Sequence, residues 1–256
     1  MPRLSHLLFC LAVLLAPTFS PAAELADTIE RVKPAIVVVG TYARLRSPPF
    51  VMRGTGFAVG DGTLIATNAH VVPELTGEDA QAELAVLVRT GERILPRTAH
   101  LLVRDADHDL ALLRIDGLPL PPLPLRDPGR VREGQPVAFT GFPIGGVLGF
   151  APVTHRGIVA AITPIAQPGG NAGELRDQSI QRLRRGAFPV FQLDATAYPG
   201  NSGGPLYDAE TGEVIGVINM VFVKESKEAV LEKPSGISYA IPATFLAELL
   251  KKTNKQ

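Results

Sequence analysis

A proline-rich run near the middle of the chain places the strongest limit on how this sequence can fold. Residues 118–129 read LPLPPLPLRDPG. Proline fixes φ and has no N–H to donate, so this run is neither a helix nor a central strand. We predict a stiff, extended linker at residues 118–130 that joins two lobes.

Short apolar and β-branched segments, separated by turn residues, recur on both sides of this linker. Segments of this length and spacing favour an all-β barrel or sandwich over alternating strands and helices. The predicted strands are residues 36–40, 56–59, 64–67, 84–89, 99–104 and 110–115 before the linker, and residues 136–141, 157–162, 190–193, 214–223 and 237–240 after it.

Two further segments have the periodicity of helices. Residues 24–33 and 243–252 repeat apolar residues at intervals of three and four, which predicts amphipathic helices packed against the lobes. Their predicted apolar faces are Leu25, Ile29 and Val32 in the first helix and Leu246, Ala247 and Leu250 in the second. The irregular stretch at residues 166–187 predicts a solvated surface loop.

The composition excludes several classes of function. The 256 residues include 25 basic and 25 acidic ones, so no excess charge is available to capture nucleic acid or an anionic membrane. No spacing of histidines or cysteines resembles a metal site, and we expect neither a metal nor another cofactor. A chain of this length suits one domain of two lobes, or two small domains.

Residues 1–23 have the pattern of a secretory signal. Arg3 precedes an apolar run at residues 7–16, and small residues offer a cleavage site near Ala22 or Ala23. The apolar run is too short to span a bilayer, so we expect no stable membrane anchor after the signal is removed.

Removal of this signal predicts an exported protein, periplasmic or secreted, that consists of residues 24–256. The only cysteine of the chain, Cys10, lies within the signal, so the exported form has no thiol and no disulfide. We therefore expect the core alone to hold the two lobes together.

Three motifs carry residues suited to nucleophilic catalysis. The motifs TNAHVV, HDLALL and GNSGGPL supply, in that order, His70, Asp109 and Ser202. A serine hydroxyl is a poor nucleophile until a base accepts its proton, and the base needs a group that orients it. Ser202 is therefore the candidate nucleophile, His70 the candidate base and Asp109 the orienting carboxylate. Each residue alone also suits a structural role, but the three together in this order favour catalysis.

The glycines around Ser202 allow a sharp turn that exposes the hydroxyl. The backbone of Gly200, Asn201 and Ser202 is predicted to form an oxyanion hole, in which the amides of Gly200 and Ser202 point at one spot.

These motifs resemble those of the chymotrypsin-like (trypsin-fold) serine peptidases, and specifically the HtrA/Deg branch. The resemblance begins near residue 27 and continues to the helical segment at residues 243–252. It implies two packed antiparallel six-stranded β-barrels, at about residues 34–117 and 131–242, with the active site in the crevice between them. It also implies polypeptide substrates and cleavage of unfolded or damaged proteins.

The sequence departs from better-known members of this family in two ways. Asn201 stands where digestive relatives carry an aspartate that pairs with a new α-amino group, so we expect activation without insertion of an N-terminus. Family members usually carry a PDZ domain after the protease, whereas we expect none after residue 252. Many members form trimers, and the sequence leaves a homotrimer and a monomer open.

Five residues are predicted to contact substrate, by their position relative to Ser202. Thr196 and Ala197 form one wall of the primary pocket, and the strand containing Val217, Ile218 and Asn219 forms another and pairs with the substrate backbone. No acidic residue is evident at the pocket base, so we expect a small or medium aliphatic residue before the cleaved bond.

Other residues near the motifs are given structural roles. We predict turn roles for Asp105 and Asp107, and surface or packing roles for His100, His108 and His155, which show no partner pattern.

Two other functions compete with a peptidase. A peptide-binding or chaperone-like module with an idle protease site has the same fold, because fold fixes activity only loosely. An ester hydrolase of the α/β type is disfavoured because it places serine before its acid and histidine.

Overall fold

The computed structural model describes residues 21–77, 80–91, 93–126, 128–144, 149–164, 188–220 and 236–253. Most of the predicted signal, the loop predicted at residues 166–187 and the end of the strand predicted at residues 214–223 lie outside these ranges. No helix within them is both long and apolar enough to cross a membrane.

The first six strands form a closed antiparallel barrel. Its strand order is β1-β2-β3-β6-β5-β4, and β1 pairs with β4 to close it. The strands are β1 (Ile36–Tyr42), β2 (Phe50–Val59), β3 (Leu64–Thr67), β4 (Glu83–Thr90), β5 (Arg93–Asp105) and β6 (Leu110–Ile115).

The last six strands form a second closed barrel. Its order is β10-β11-β12-β9-β8-β7, and β10 pairs with β7 to close it. The strands are β7 (Pro136–Gly141), β8 (Val153–Pro164), β9 (Pro189–Asp194), β10 (Pro205–Asp208), β11 (Val214–Asn219) and β12 (Ile237–Pro242). The prediction of an all-β fold with two six-stranded antiparallel barrels is therefore confirmed.

One of these strands, β10, is missing from the sequence prediction. It has only four residues, begins with a proline and follows directly on the glycine-rich turn, so local pattern favours a loop there. Its pairing with β7 and β11 stabilises it instead.

The linker lies against both barrels rather than spanning a gap between them. Leu123 donates its N–H to the Ala58 carbonyl of the first barrel, and Arg126 donates to the Val214 carbonyl of the second. A short 3-10 helix, Pro128–Arg130, then leads to β7.

Two α-helices flank the barrels, α1 (Pro21–Val32) and α2 (Ala243–Thr253). In α1, Thr28 is buried beside Val32 and donates its hydroxyl to the Glu210 carbonyl at 2.9 Å. In α2 the buried residues include Leu246 and Leu249, so the predicted apolar face missed Leu249.

The buried apolar residues form two clusters of different extent. The cluster inside the first barrel continues into the second lobe through Tyr207, Val217 and Ile241. The other cluster fills the second barrel around Phe139 and Ile218. The two lobes consequently share one continuous apolar core at their junction.

Candidate active site

Strand register brings His70 and Asp109 together although they are far apart in sequence. In the antiparallel pair β3–β6, Thr67 lies opposite Ala111. Two residues further along, this register places Ala69 opposite Asp109, and the Ala69 N–H donates to the Asp109 carbonyl at 3.1 Å. His70 follows at once, in the 3-10 helix Ala69–Val71.

The side chains of the two residues meet in a short contact. His70 Nδ1 lies 2.7 Å from Asp109 Oδ2, and the backbone N–H of His70 donates to Asp109 Oδ1 at 2.9 Å. A carboxylate only accepts hydrogen bonds, so Nδ1 carries the proton of the neutral ring and Nε2 keeps its lone pair. The His70 side chain is 33% exposed and that of Asp109 only 9%.

Asp109 has a left-handed backbone conformation, with φ of 53°. Aspartate adopts this conformation more readily than most residues. The Asp109 carbonyl also accepts a hydrogen bond at 3.1 Å from the side-chain amide of Asn68, which is fully buried. The main chain of Asp109 is thus held by the same loop that carries His70.

A third donor reaches the Asp109 carboxylate from the second barrel. The Asn219 side-chain amide donates to Asp109 Oδ2 at 2.7 Å, and Asn219 is fully buried at the end of β11. The sequence predicted Asn219 as a substrate-contacting residue, and its place in the chain gives no sign of this contact with the carboxylate.

Ser202 lies in the turn between the predicted pocket wall and β10. It is 6% exposed, and its hydroxyl oxygen accepts the Met220 N–H at 3.3 Å. Within the described residues, the Ser202 hydroxyl makes no hydrogen bond to the His70 imidazole. Catalytic hydrogen bonds are often long or misaligned in the absence of substrate.

The turn after Ser202 lies directly against the loop that carries His70. Gly203 has φ of 85°, and a Cβ there would collide with the Thr55 carbonyl and the Thr67 hydroxyl. Only glycine permits this close approach of the two lobes. The Ser202 carbonyl in turn accepts the Thr55 N–H at 2.9 Å.

The backbone before Ser202 has a defined orientation at Gly200. This residue has φ of 101°, which other residues rarely adopt. The preceding carbonyl, of Pro199, accepts the Ile144 N–H at 2.7 Å. In a trans peptide the C=O and N–H point in opposite directions, so the Gly200 N–H points away from Ile144.

The N–H of Ser202 is oriented in the same way. The Asn201 carbonyl accepts the Gly204 N–H at 2.9 Å, so the Ser202 N–H points away from Gly204. Neither the Gly200 nor the Ser202 N–H donates to another group in the described part of the chain. Asn201 itself is fully buried, and its N–H donates to the Tyr198 carbonyl at 3.0 Å.

The other residues predicted to contact substrate lie beside this turn. Ala197 is buried and donates its N–H to Ser238 Oγ at 2.9 Å, whereas Thr196 is half-buried. The side chains of Val217 and Ile218 are buried in the two apolar clusters. Ser238, which sequence analysis did not single out, also donates to the Ala195 carbonyl at 2.7 Å and so braces this wall.

A second histidine–aspartate pair precedes Asp109. Asp105 accepts the backbone N–H groups of Asp107 and His108, which confirms the turn role predicted for it. Its other oxygen lies 2.8 Å from His108 Nδ1, a contact that sequence analysis did not predict. Burial opposes ionisation of Asp105, but these hydrogen bonds outweigh it and lower its pKa below the usual value.

The other two histidines within the described residues, His100 and His155, also have neighbours. His100 pairs with Asp116 at 3.2 Å in an exposed position. His155 stacks on Phe139 with ring centroids 4.8 Å apart, which confirms a packing role, and burial lowers its pKa.

Comparison with known proteins agrees with this fold. A family model described as "Trypsin-like peptidase domain" matches residues 54–217. The chain belongs to this family.

Curated relatives point to one branch of it. The mitochondrial serine protease HTRA2 of Bos taurus is 32% identical over 253 residues, which cover 96% of this chain and 47% of that protein. A probable periplasmic serine endoprotease described as DegP-like, from Halomonas elongata, is 34% identical over 192 residues, which cover 74% of this chain and 32% of that protein. The chain therefore spans less than half the length of these relatives, and the resemblance to the HtrA/Deg branch is confirmed.

Solved structures agree with these relatives. The HtrA-type protease AlgW with a tripeptide has a TM-score of 0.62 and 27% identity, over 89% of this chain and 62% of that one. Deg5 has a TM-score of 0.65 over 91% of this chain and 95% of that one, and its 22% identity supports likeness of fold alone.

Proposed function

We propose that this protein is an exported serine endopeptidase that cleaves unfolded or damaged polypeptides through an acyl-enzyme. The observation that carries the proposal is the contact of 2.7 Å between His70 Nδ1 and the Asp109 carboxylate, inside a trypsin-like fold. Asp109 also accepts hydrogen bonds from the His70 N–H and from Asn219. This set of donors favours an imidazole whose Nε2 is ready to accept a proton.

The proposed reaction has two halves. Ser202 Oγ attacks the scissile carbonyl carbon while His70 Nε2 takes the hydroxyl proton, and the Gly200 and Ser202 amides stabilise the oxyanion. The C–N bond then breaks, and His70 returns the proton to the leaving amine. In the second half His70 takes a proton from water, which attacks the acyl carbon; the ester C–O bond then breaks, and His70 returns the proton to Ser202 Oγ as the acid product leaves.

The contact of Ser202 with Met220 is compatible with this role. The Ser202 oxygen accepts the Met220 N–H, so its own proton remains available for donation to His70. The relay is complete once His70 Nε2 and the Ser202 hydroxyl come within hydrogen-bond reach when substrate binds.

The proposal includes a preference for small or medium aliphatic residues before the cleaved bond. The predicted wall residues Thr196 and Ala197 are small and uncharged, and so is Ser238, which accepts the Ala197 N–H. Hydrolysis of paired peptide substrates that end in Val or Arg measures this preference, and faster cleavage after Arg would contradict it.

One observation favours a second candidate, a peptide-binding module with an idle site. In the described structure the Ser202 hydroxyl is not hydrogen-bonded to His70, and a peptidase that never formed this bond would only bind its substrates.

A fluorophosphonate probe distinguishes the two functions. We expect the probe to label the purified protein covalently and to spare the Ser202→Ala variant, because only an activated serine attacks phosphorus. We also expect cleavage of reduced, alkylated lysozyme but not of native lysozyme, with a loss of at least about 10⁴-fold in Ser202→Ala. Peptide binding without labelling would reject the peptidase and support the module.

A further inference from the structure

A single threonine of the first barrel contacts both sides of the Ser202 turn. Thr55 lies in β2 and is fully buried. Its N–H donates to the Ser202 carbonyl at 2.9 Å, and its carbonyl accepts the Thr67 hydroxyl at 2.7 Å. Its own hydroxyl donates to the Gly200 carbonyl at 2.7 Å and accepts the Phe142 N–H at 3.1 Å.

The two hydrogen bonds of the Thr55 hydroxyl require it to act as a donor and as an acceptor. The Gly200 carbonyl needs a donor and the Phe142 N–H needs an acceptor, and a hydroxyl supplies one of each. A methyl group supplies neither. Serine could replace threonine here, whereas valine, which has nearly the same shape, could not.

The Thr55 hydroxyl also supports the segment that contains Ile144, the other residue whose hydrogen bond holds the Ser202 turn. Phe142 is two residues before Ile144, whose N–H holds the Pro199 carbonyl at 2.7 Å. Ile144 has φ of 58°, a conformation that β-branched residues rarely adopt. Such a conformation persists only where its surroundings determine it, and the bond from Phe142 to Thr55 is one of those constraints.

We propose that Thr55 is a positioning residue for the oxyanion hole: its hydroxyl sets the direction of the Gly200 peptides from the opposite lobe. Its hydroxyl holds the Gly200 carbonyl directly, and through Phe142 it constrains the segment whose Ile144 N–H holds the Pro199 carbonyl, so it acts on both peptide planes at Gly200. The Gly200 N–H is then aimed before substrate arrives, which is the preorganisation that oxyanion stabilisation requires. This inference rests on the proposed peptidase function.

The test compares Thr55→Val with Thr55→Ser, using cleavage of a peptide substrate. We expect Thr55→Val to lower kcat about 10-fold to 100-fold with little change in KM, since an oxyanion donor acts mainly in the transition state. Thr55→Ser should stay within about 3-fold of the native protein, because the hydroxyl is retained.

A peptide boronate separates positioning from a merely structural role. We expect its affinity for Thr55→Val to fall by the same factor as kcat/KM, because the boronate mimics the tetrahedral intermediate, while the affinity of the product peptide stays unchanged. Equal losses for the boronate and the product peptide would overturn the proposal. So would native kcat/KM in Thr55→Val, or a loss in Thr55→Ser as large as in Thr55→Val.

Thr55→Cys provides the same test if Thr55→Val does not fold. A thiol is a weaker donor than a hydroxyl, so its kcat should lie below that of Thr55→Ser. Equal kcat for these two variants would overturn the proposal. If the native protein neither cleaves peptides nor reacts with a fluorophosphonate, the peptidase function itself fails, which is a result distinct from any ranking among the Thr55 variants.

Discussion

The two lobes hold their parts of the candidate site in different ways. In the first lobe, the register of β3 against β6 extends directly into the contact between His70 and Asp109. In the second lobe, the turn around Ser202 depends on hydrogen bonds from outside itself, to Thr55 and Ile144. The main chain of the candidate base and of its carboxylate is therefore set by one barrel, with one side-chain hydrogen bond added by Asn219 of the other. The turn that carries the candidate nucleophile is instead set by the packing of both barrels.

Replacement of Asn219 is the strongest test of this difference between the lobes, because Asn219 of the second lobe donates a hydrogen bond to the Asp109 carboxylate. We expect Asn219→Leu to lower kcat about 10-fold to 100-fold with little change in KM, since a hydrogen bond to a charged group is lost. Steady-state kinetics on a peptide substrate provide the measurement.

Asn68 supplies the matched control within the first lobe. It is also a buried amide bonded to Asp109, but it contacts the main-chain carbonyl, which Ala69 holds as well. We expect Asn68→Leu to reduce stability and to lower kcat less than Asn219→Leu does. A larger loss of kcat in Asn68→Leu would mean that register alone does not position the carboxylate.

Asp208 tests whether the far end of β10 matters for stability rather than for catalysis. Its carboxylate accepts hydrogen bonds from Arg126 and Gln135, and from the backbone N–H groups of Glu210 and Thr211. We expect Asp208→Asn to lower the free energy of unfolding by about 2 to 3 kcal/mol, because a mostly buried cation loses its partner. The kcat of the folded protein should change little.

The same variant has a pH signature. Burial opposes ionisation of Asp208, but its backbone and side-chain hydrogen bonds outweigh this and lower its pKa. A lowered folded pKa contributes stability above the unfolded pKa, near 4, and this contribution is lost as pH falls through the folded value. The native protein and Asp208→Asn should thus differ at neutral pH and converge in acid. A constant difference across pH in denaturant titrations would reject this account, and Asp27→Asn, at an exposed position of α1, serves as control.

The smallest expected effects come from the two histidine–aspartate pairs that lie outside the site. His108 stacks on Phe245 at 4.0 Å and pairs with Asp105, so His108→Ala should lower stability by about 1 to 2 kcal/mol. The exposed pair of His100 and Asp116 should contribute less than about 0.5 kcal/mol. Thermal unfolding of His108→Ala and of His100→Ala measures the difference in stability between the two variants.

The kinetics of His108→Ala test whether strand register or the neighbouring turn positions the Asp109 carboxylate. His108 is adjacent to Asp109, yet register and the Ala69 hydrogen bond remain in the variant. We expect kcat within about 3-fold of the native value. A loss of 10-fold or more would show that the Asp105–His108 turn, and not strand register, places the carboxylate.

Sequence pattern alone was sufficient for some short strands that are mostly apolar and bounded by turns. The bounds of β3, β6 and β7 match their predicted segments. Strand β5 extends well beyond its predicted residues, because the charged residues and the proline at residues 93–98 mask the strand pattern.

No local sequence pattern predicts the contacts between the two lobes. Thr55 reads as an ordinary strand residue, and its role depends on a turn 145 residues away. The side chain of Asn219 likewise meets a carboxylate 110 residues earlier in the chain. Motifs identified the candidate residues His70, Asp109 and Ser202, but the hydrogen bonds that orient them come from tertiary packing. Their catalytic roles, and those of Gly200 and the predicted pocket residues, stay predictions.

The apolar cluster that continues from the first barrel into the second has a consequence for access. Side chains such as Val217 and Ile241 are buried at this junction, so spreading the lobes would expose them to water at a considerable energetic cost. The shared core therefore resists any movement of the lobes apart, and under the proposed peptidase function a substrate would reach Ser202 as an extended segment.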